Sequence, residues 1–143
     1  MSYFLLLIAA LILGLLAYIR LAPSDVAKWH KAEVTYADVG DYPAMGGFTA
    51  VRLATTGDLA RLIGFIENTD RTTVLAGSVG EGMITFVTRT KMMGFPDYTT
   101  LRVEPATQAG KVLLTIHGRL RFGRSDLGVN RARIEGWLGS AGL

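Results

Sequence analysis

The apolar positions of this chain first run without interruption, then recur at helical spacing, then alternate, and finally return to helical spacing. The uninterrupted part, Tyr3 to Ile19 (YFLLLIAALILGLLAYI), is seventeen residues without a charge. At about 1.5 Å of rise per residue it spans roughly 26 Å, a little short of the hydrocarbon core of about 30 Å. Leu21 and Ala22 extend it when Arg20 snorkels its guanidinium to the headgroups. The predicted element is a single transmembrane anchor over residues 1–22. A cleavable signal peptide fits less well, because only Ser2 stands where a basic region belongs and a cut after Ala22 would leave Pro23 first.

Beyond the anchor, Pro23-Ser24-Asp25 breaks the helix, and Ser24 or Asp25 is placed to cap a short helix carrying Trp29 and His30. An indole and an imidazole this close to the bilayer predict an interfacial anchor. Turn residues dominate Tyr36 to Gly47, so residues 23–46 read as a juxtamembrane segment and loop, and residues 47–143 as one domain. In that domain GFTAVRLA, from Gly47, is a short strand, and Thr55-Thr56 caps a helix whose Leu59, Leu62, Ile63 and Ile66 share one face. Four strand-like runs follow: Thr72–Gly77, Met83–Thr90, Tyr98–Glu104 and Val112–Phe122. In the last, Val112, Leu114, Ile116, Leu120 and Phe122 alternate with Leu113, Thr115, His117, Arg119 and Arg121. Asp126 then caps a final helix with Leu127, Ile134, Trp137 and Leu138 at helical spacing.

Consecutive strands without crossover helices pair antiparallel, and two helices with apolar stripes need a sheet to cover. The expected class is therefore α+β: one N-terminal transmembrane helix, then a mostly antiparallel sheet of four or five strands with both helices on one face. The other face is expected to be polar and open, showing Arg102, Thr115, His117, Arg119 and Arg121.

Charge sharpens this picture. Residues 23–110 hold eight Lys/Arg against ten Asp/Glu, whereas residues 111–133 hold six Lys/Arg against Asp126 alone. With no cysteine, a disulfide, a thiolate metal site and a cysteine nucleophile are all excluded. Arg20, Lys28 and Lys31 follow the anchor, and by the positive-inside rule alone they place the domain in the cytoplasm.

Three stretches, RLAPSDVAKWH from Arg20, GSVGEGMITFVTRTKMMGFPDYTT from Gly77 and RLRFGRSDLGVNRARIEGWL from Arg119, resemble the domain of unknown function 1499 family, in its membrane-anchored alphaproteobacterial form. The specific part is an Arg-rich strand, then a turn with Gly123, Arg124, Ser125, Asp126, Gly128 and Asn130, then a helix bearing Arg131 and Arg133; a Gly-Phe-x-Asp element supplies Gly94, Phe95 and Asp97. The resemblance implies a domain working at or beyond a membrane, since relatives include secreted and lipid-anchored forms. It therefore favours a periplasmic domain on a bacterial inner membrane, against the charge rule, and it implies no activity.

Two groups of residues carry candidate chemistry. Arg102, His117, Arg119, Arg121 and Arg124 are a candidate site for an anion or an acidic partner, gripping a carboxylate or phosphate with paired guanidinium groups. Asp97, Asp126, Gly128, Asn130 and Arg131 are a candidate structural motif. There Asp126 caps the helix, Gly128 admits a neighbouring strand closely, Asn130 needs partners if buried, and Asp97 pairs with Arg119 or Arg121. His30 and His117 stand far apart and no carboxylate spacing completes a metal site; no G-x-S-x-G, G-x-G-x-x-G or Walker pattern occurs. No cofactor is expected, and stacking aromatics are not interleaved with the arginines as nucleic-acid binding would need. Met92-Met93-Gly94-Phe95-Pro96 is an apolar loop, packed on its own domain or dipping toward a membrane or partner. The expected function is thus that of a non-enzymatic, single-pass membrane-anchored interaction protein, an accessory or assembly subunit docking on a larger membrane complex. The alternative is a tethered domain binding a lipid or another anionic amphipathic molecule. In both, the bilayer is itself a partner.

Overall fold

The computed structural model describes residues 2–143. Its first element, α1 (Ser2–Leu21), contains a nineteen-residue apolar span, Tyr3–Leu21, long and apolar enough by length and composition to cross a membrane. Side chains from Tyr3 to Leu15 are mostly exposed, so this part projects away from the domain. Its last turn does not: Ile19, and Ala22 just after the helix, are buried.

A short helix, α2 (Val26–Trp29), follows, with Asp25 capping it as its sequence predicts: its carboxylate accepts from the Ala27 N–H at 2.9 Å. Then come β1 (Gly40–Ala44), β2 (Gly47–Ala54), α3 (Thr56–Glu67), β3 (Thr72–Ser78), β4 (Met83–Arg89), β5 (Pro96–Pro105), β6 (Val112–Leu120) and α4 (Val129–Ala141). The six strands form one sheet in the order β1-β2-β6-β5-β4-β3, and every neighbouring pair is antiparallel.

The fold is α+β as expected, with one strand more than expected. The additional strand, β1, lies in the stretch that turn residues mark as a loop. It pairs with β2 alone, Pro43 opposite Phe48, and an edge strand is where a residue without an N–H is tolerated. The sequence GDYPA has no alternation to betray it.

Alternation decides the two faces of the sheet. Phe48, Ala50, Ala54, Ile84, Phe86, Leu101, Leu114 and Ile116 point to one side, where Leu59, Leu62 and Ile66 of α3 and Ile134, Trp137, Leu138 and Ala141 of α4 complete a dry core. That core fills the space between sheet and helices. Thr55 and Asp58 form a reciprocal capping box at the start of α3. Gly118 lets α4 come down on β6, since a Cβ there would lie 2.9 Å from both Asn130 Oδ1 and Ile134 Cδ1.

The turn before α4 departs from expectation in three ways. The helix begins at Val129, with Gly128 as N-cap and no side-chain cap bond from that residue. Asp126 acts from two positions further out, its carboxylate accepting from the N–H groups of Gly128 at 3.1 Å and Asn130 at 3.0 Å. Leu127 is outside the helix and 93% exposed with φ 52°. Nothing lies within 4 Å of a Cβ at Gly128, so that glycine serves its left-handed backbone (φ 80°) and not a close approach. The close approach belongs to Gly118.

Candidate functional site

The sheet face turned away from α3 and α4 is polar, as its alternation predicts, and it is covered. Residues 23–36 run across it as a strap. Trp29 stacks on Tyr98 with ring centroids 4.1 Å apart and planes at 11°. The Ser24 and Tyr98 hydroxyls share a bond of 2.7 Å, and His30 Nδ1 meets Thr85 Oγ1 at 2.9 Å. His30 also packs where a Cβ on Gly77 would stand, 2.6 Å from its Cε1. The short helix therefore packs Trp29 and His30, both half-buried, against the domain.

Arg119 is the centre of this contact. Its side chain is 8% exposed. One terminal nitrogen donates to Thr100 Oγ1 at 3.0 Å and the other to the Trp29 carbonyl, while Glu33 Oε2 lies 2.7 Å from Nε, off the line of its N–H. Arg121 donates to the Pro23 carbonyl at 3.0 Å and to the Tyr98 hydroxyl at 3.2 Å, and Arg102 donates to Thr35 Oγ1 at 3.3 Å beside Glu104. Three arginines expected to face an anion thus hold the strap. Where the strap crosses Thr100, Arg102, Thr115 and His117, only about 10 Å³ of space remains.

His117 sits beside them. Its Nδ1 bonds Thr49 Oγ1 at 2.8 Å, and Glu33 lies 3.6 Å from Nε2. Burial first, and the Arg119 charge second, push the imidazole down from 6.5 to about 4 against the pull of Glu33. The ring is neutral at neutral pH. Burial likewise pulls Arg119 below the usual arginine range, with Glu33 opposing. At the edge of the strap, His117, Arg119 and Arg124 line one open cleft of about 350 Å³ with Trp29, Glu33 and Met45. The structure brings these three predicted residues together, while Arg102 and Arg121 lie outside that cleft. Arg124 has no ion partner among the described residues.

The structural motif assembles on the opposite face, with a different partner for Asp97. The register sets Asp97 across from Leu120, so its carboxylate points to the helix side while Arg119 and Arg121 point to the strap. Asp97 instead pairs with Arg133 of α4 at 3.2 Å, and Arg133 also donates to Asn130 Oδ1 at 3.1 Å. Burial raises the Asp97 carboxyl above the usual range, and Arg133 works against it. Burial would raise Asp126 too, but bonds from Asn130 and Gly128 together hold it below that range. Asn130 is fully buried and is the partner-seeking side chain its position predicts. Arg131 stands outside the group, in an ion pair with Glu135 at 2.8 Å and over the Phe48 ring at 5.5 Å.

Sequence reasoning missed Glu33, the acid that pairs with Arg119, and it missed a second basic site. Arg20, Arg71, Arg89 and Lys91 line a cleft of about 450 Å³ with Thr73, Thr90 and Gly94. The signal for Glu33 was the need of a buried Arg119 for an acid; the four cations carry no common motif.

The family comparison assigns this geometry no chemistry. Residues 30–140 match the family described as "Protein of unknown function (DUF1499)", and the chain belongs to it. No curated protein and no solved structure matches the chain.

Proposed function

We propose that this protein is a non-enzymatic, single-pass membrane-anchored interaction protein, an accessory or assembly subunit whose domain is mounted rigidly at the bilayer beside a larger membrane complex. One observation carries the reading: the last turn of α1 is part of the domain. Arg20 donates to the Met92 carbonyl at 2.7 Å, Arg89 reaches the Ile19 carbonyl at 3.4 Å, and Tyr18 meets Phe122 edge-on at 6.1 Å. The strap then binds the following fourteen residues to the sheet, so no flexible tether separates helix from domain. A domain held at fixed height and orientation suits docking on a neighbour in the same membrane. A helix end folded into the domain also supports an uncleaved anchor.

The test is purification of a tagged full chain in mild detergent with mass spectrometry of what accompanies it. The expected result is a defined membrane complex that is lost when a Gly-Ser linker is inserted after Ala22, with the chain still in the membrane. Recovery of the bare chain from both proteins would overturn the reading. For orientation we follow the family resemblance: a periplasm-dependent reporter fused after Leu143 should be active, and activity of a cytoplasmic reporter alone would reverse the assignment.

A further inference from the structure

We propose that the cleft lined by Arg20, Arg71, Arg89 and Lys91 binds the phosphate of an anionic phospholipid headgroup. The placement follows from strand directions. The starts of β2, β3 and β5 and the ends of β1, β4 and β6 all fall at one end of the antiparallel sheet. The last turn of α1 docks at that end, through Met92 and Phe122. With α1 in a bilayer, Arg20 lies at headgroup depth, and the cleft beside it lies at the same depth.

The composition of the cleft fits a phosphate. Four cationic side chains line it, and no acid does. The nearest carboxylate, Asp70, is 3.8 Å from Arg71 and 89% exposed, too distant and too solvated to neutralise four charges. Lys91 makes no ion pair among the described residues, and Arg20, Arg71 and Arg89 spend donors on backbone carbonyls only in part, leaving others for oxygens of a ligand. Thr73 and Thr90 add hydroxyls.

The backbone supports the same direction. Arg71 (φ 58°) and Leu127 (φ 52°) are the non-glycine residues with positive φ among the described residues, and both lie at this end of the sheet. Each pays a strain of about 1–2 kcal/mol that glycine would avoid. What the chain obtains for it is a cation in the cleft and an exposed leucine, with Met45 and Met92, each 83% exposed, on neighbouring loops of that end. Apolar tips ringed by cations face a headgroup layer favourably.

The test uses the full chain, labelled in zwitterionic phosphatidylcholine nanodiscs, with spin-labelled phosphatidylglycerol or spin-labelled phosphatidylcholine as the probe. The motionally restricted fraction should favour phosphatidylglycerol. Arg71→Asn with Lys91→Glu should abolish that preference at about fivefold for each charge unit removed, whereas Lys111→Glu, at the other end of the sheet, should leave it intact. Equal restriction of both lipids by the unaltered chain, or retained preference in the double variant, would overturn the proposal. Loss of the preference on adding inorganic phosphate, with tight binding of that phosphate in detergent, would assign the cleft to a soluble anion and overturn its lipid source. The inference rests on α1 lying in the bilayer, and flotation of the chain with vesicles separates the two: failure to float removes the anchor, while flotation without selectivity removes only the cleft.

Discussion

Asp97 and Arg133 offer a sharp test of how this domain is held together. Their side chains are 7% and 13% exposed and 3.2 Å apart, and Arg133 has Asn130 Oδ1 as a further acceptor. Asp97→Asn keeps the shape and removes the charge. Breaking a buried pair from one side costs about 3–5 kcal/mol in general. Here the new amide oxygen still accepts from Arg133, and burial already disfavours the charge that is removed, so a loss of only about 1 kcal/mol is expected, a fall in Tm of roughly 4 °C for a domain of this size. Arg133→Met strands the buried Asp97 carboxylate and should cost more, about 3–5 kcal/mol at neutral pH, and less in acid. The sign follows from burial: the folded-state pKa of Asp97 is raised, so its contribution to stability is present below 3.8 and lost as pH rises through the raised value. Removing Arg133 removes what opposes that rise, and its deficit should widen from pH 4 toward 7. The double variant should recover about 2 kcal/mol of the summed losses. The assay is thermal unfolding of the full chain in detergent, followed by circular dichroism. Losses that add within about 0.5 kcal/mol would show that the two groups do not act as a pair.

His117 supplies a pH dependence of the opposite sign: its folded pKa is depressed to about 4, so its contribution is present above 6.5 and lost as pH falls toward 4. Unfolding should cost about 2 kcal/mol less at pH 5 than at pH 7 from this residue, and His117→Gln should flatten that slope in the same unfolding assay. Trp29→Ala removes the stack that covers Tyr98 and should destabilise by about 2–4 kcal/mol. It should also open residues 23–36 to limited proteolysis; an unchanged digestion pattern would mean that the strap does not depend on the indole. Gly118→Ala should cost more than 2 kcal/mol, because Asn130 and Ile134 stand 2.9 Å from the new methyl, whereas Gly64→Ala, with open space around it, should stabilise α3 slightly.

Alternation along β5 and β6 was enough to sort the residues onto two faces, and it carried more than was drawn from it. Asp97 shares its parity with Thr99 and Leu101, the side that meets the helices, so its separation from Arg119 and Arg121 was already written in the register. The helical spacing of Leu59, Leu62 and Ile66 and of Ile134, Trp137 and Leu138 placed the core correctly. What periodicity does not carry is the path of a segment with no period. Residues 23–36 have neither alternation nor a helical stripe, and their fit to the sheet depends on Trp29, Glu33 and Thr35 meeting Tyr98, Arg119 and Arg102 across long loops. The four-cation cleft is only half legible: the pairing of β3 with β4 brings Arg71 beside Arg89 and Lys91, but Arg20 joins them only when α1 docks on the β4–β5 loop.

The strap also changes what the arginine row means physically. An open face of His117, Arg119 and Arg121 would attract any anion that approached; beneath the strap, the same groups are spent on Glu33, the Trp29 carbonyl and the Pro23 carbonyl. For an external anion to reach Arg119 it must displace Glu33 and leave that carboxylate to find other partners, a cost that a dilute ligand does not repay. Removing Arg119 and Arg121 together should therefore release the strap before it abolishes any binding, and the loosened joint should let the domain swing on α1. If Arg119→Ala with Arg121→Ala leaves the strap protected from protease and yet abolishes a co-purifying partner, the row is a binding surface after all. The expected order, strap first and association second, places these arginines between α1 and the domain as the joint that fixes their angle.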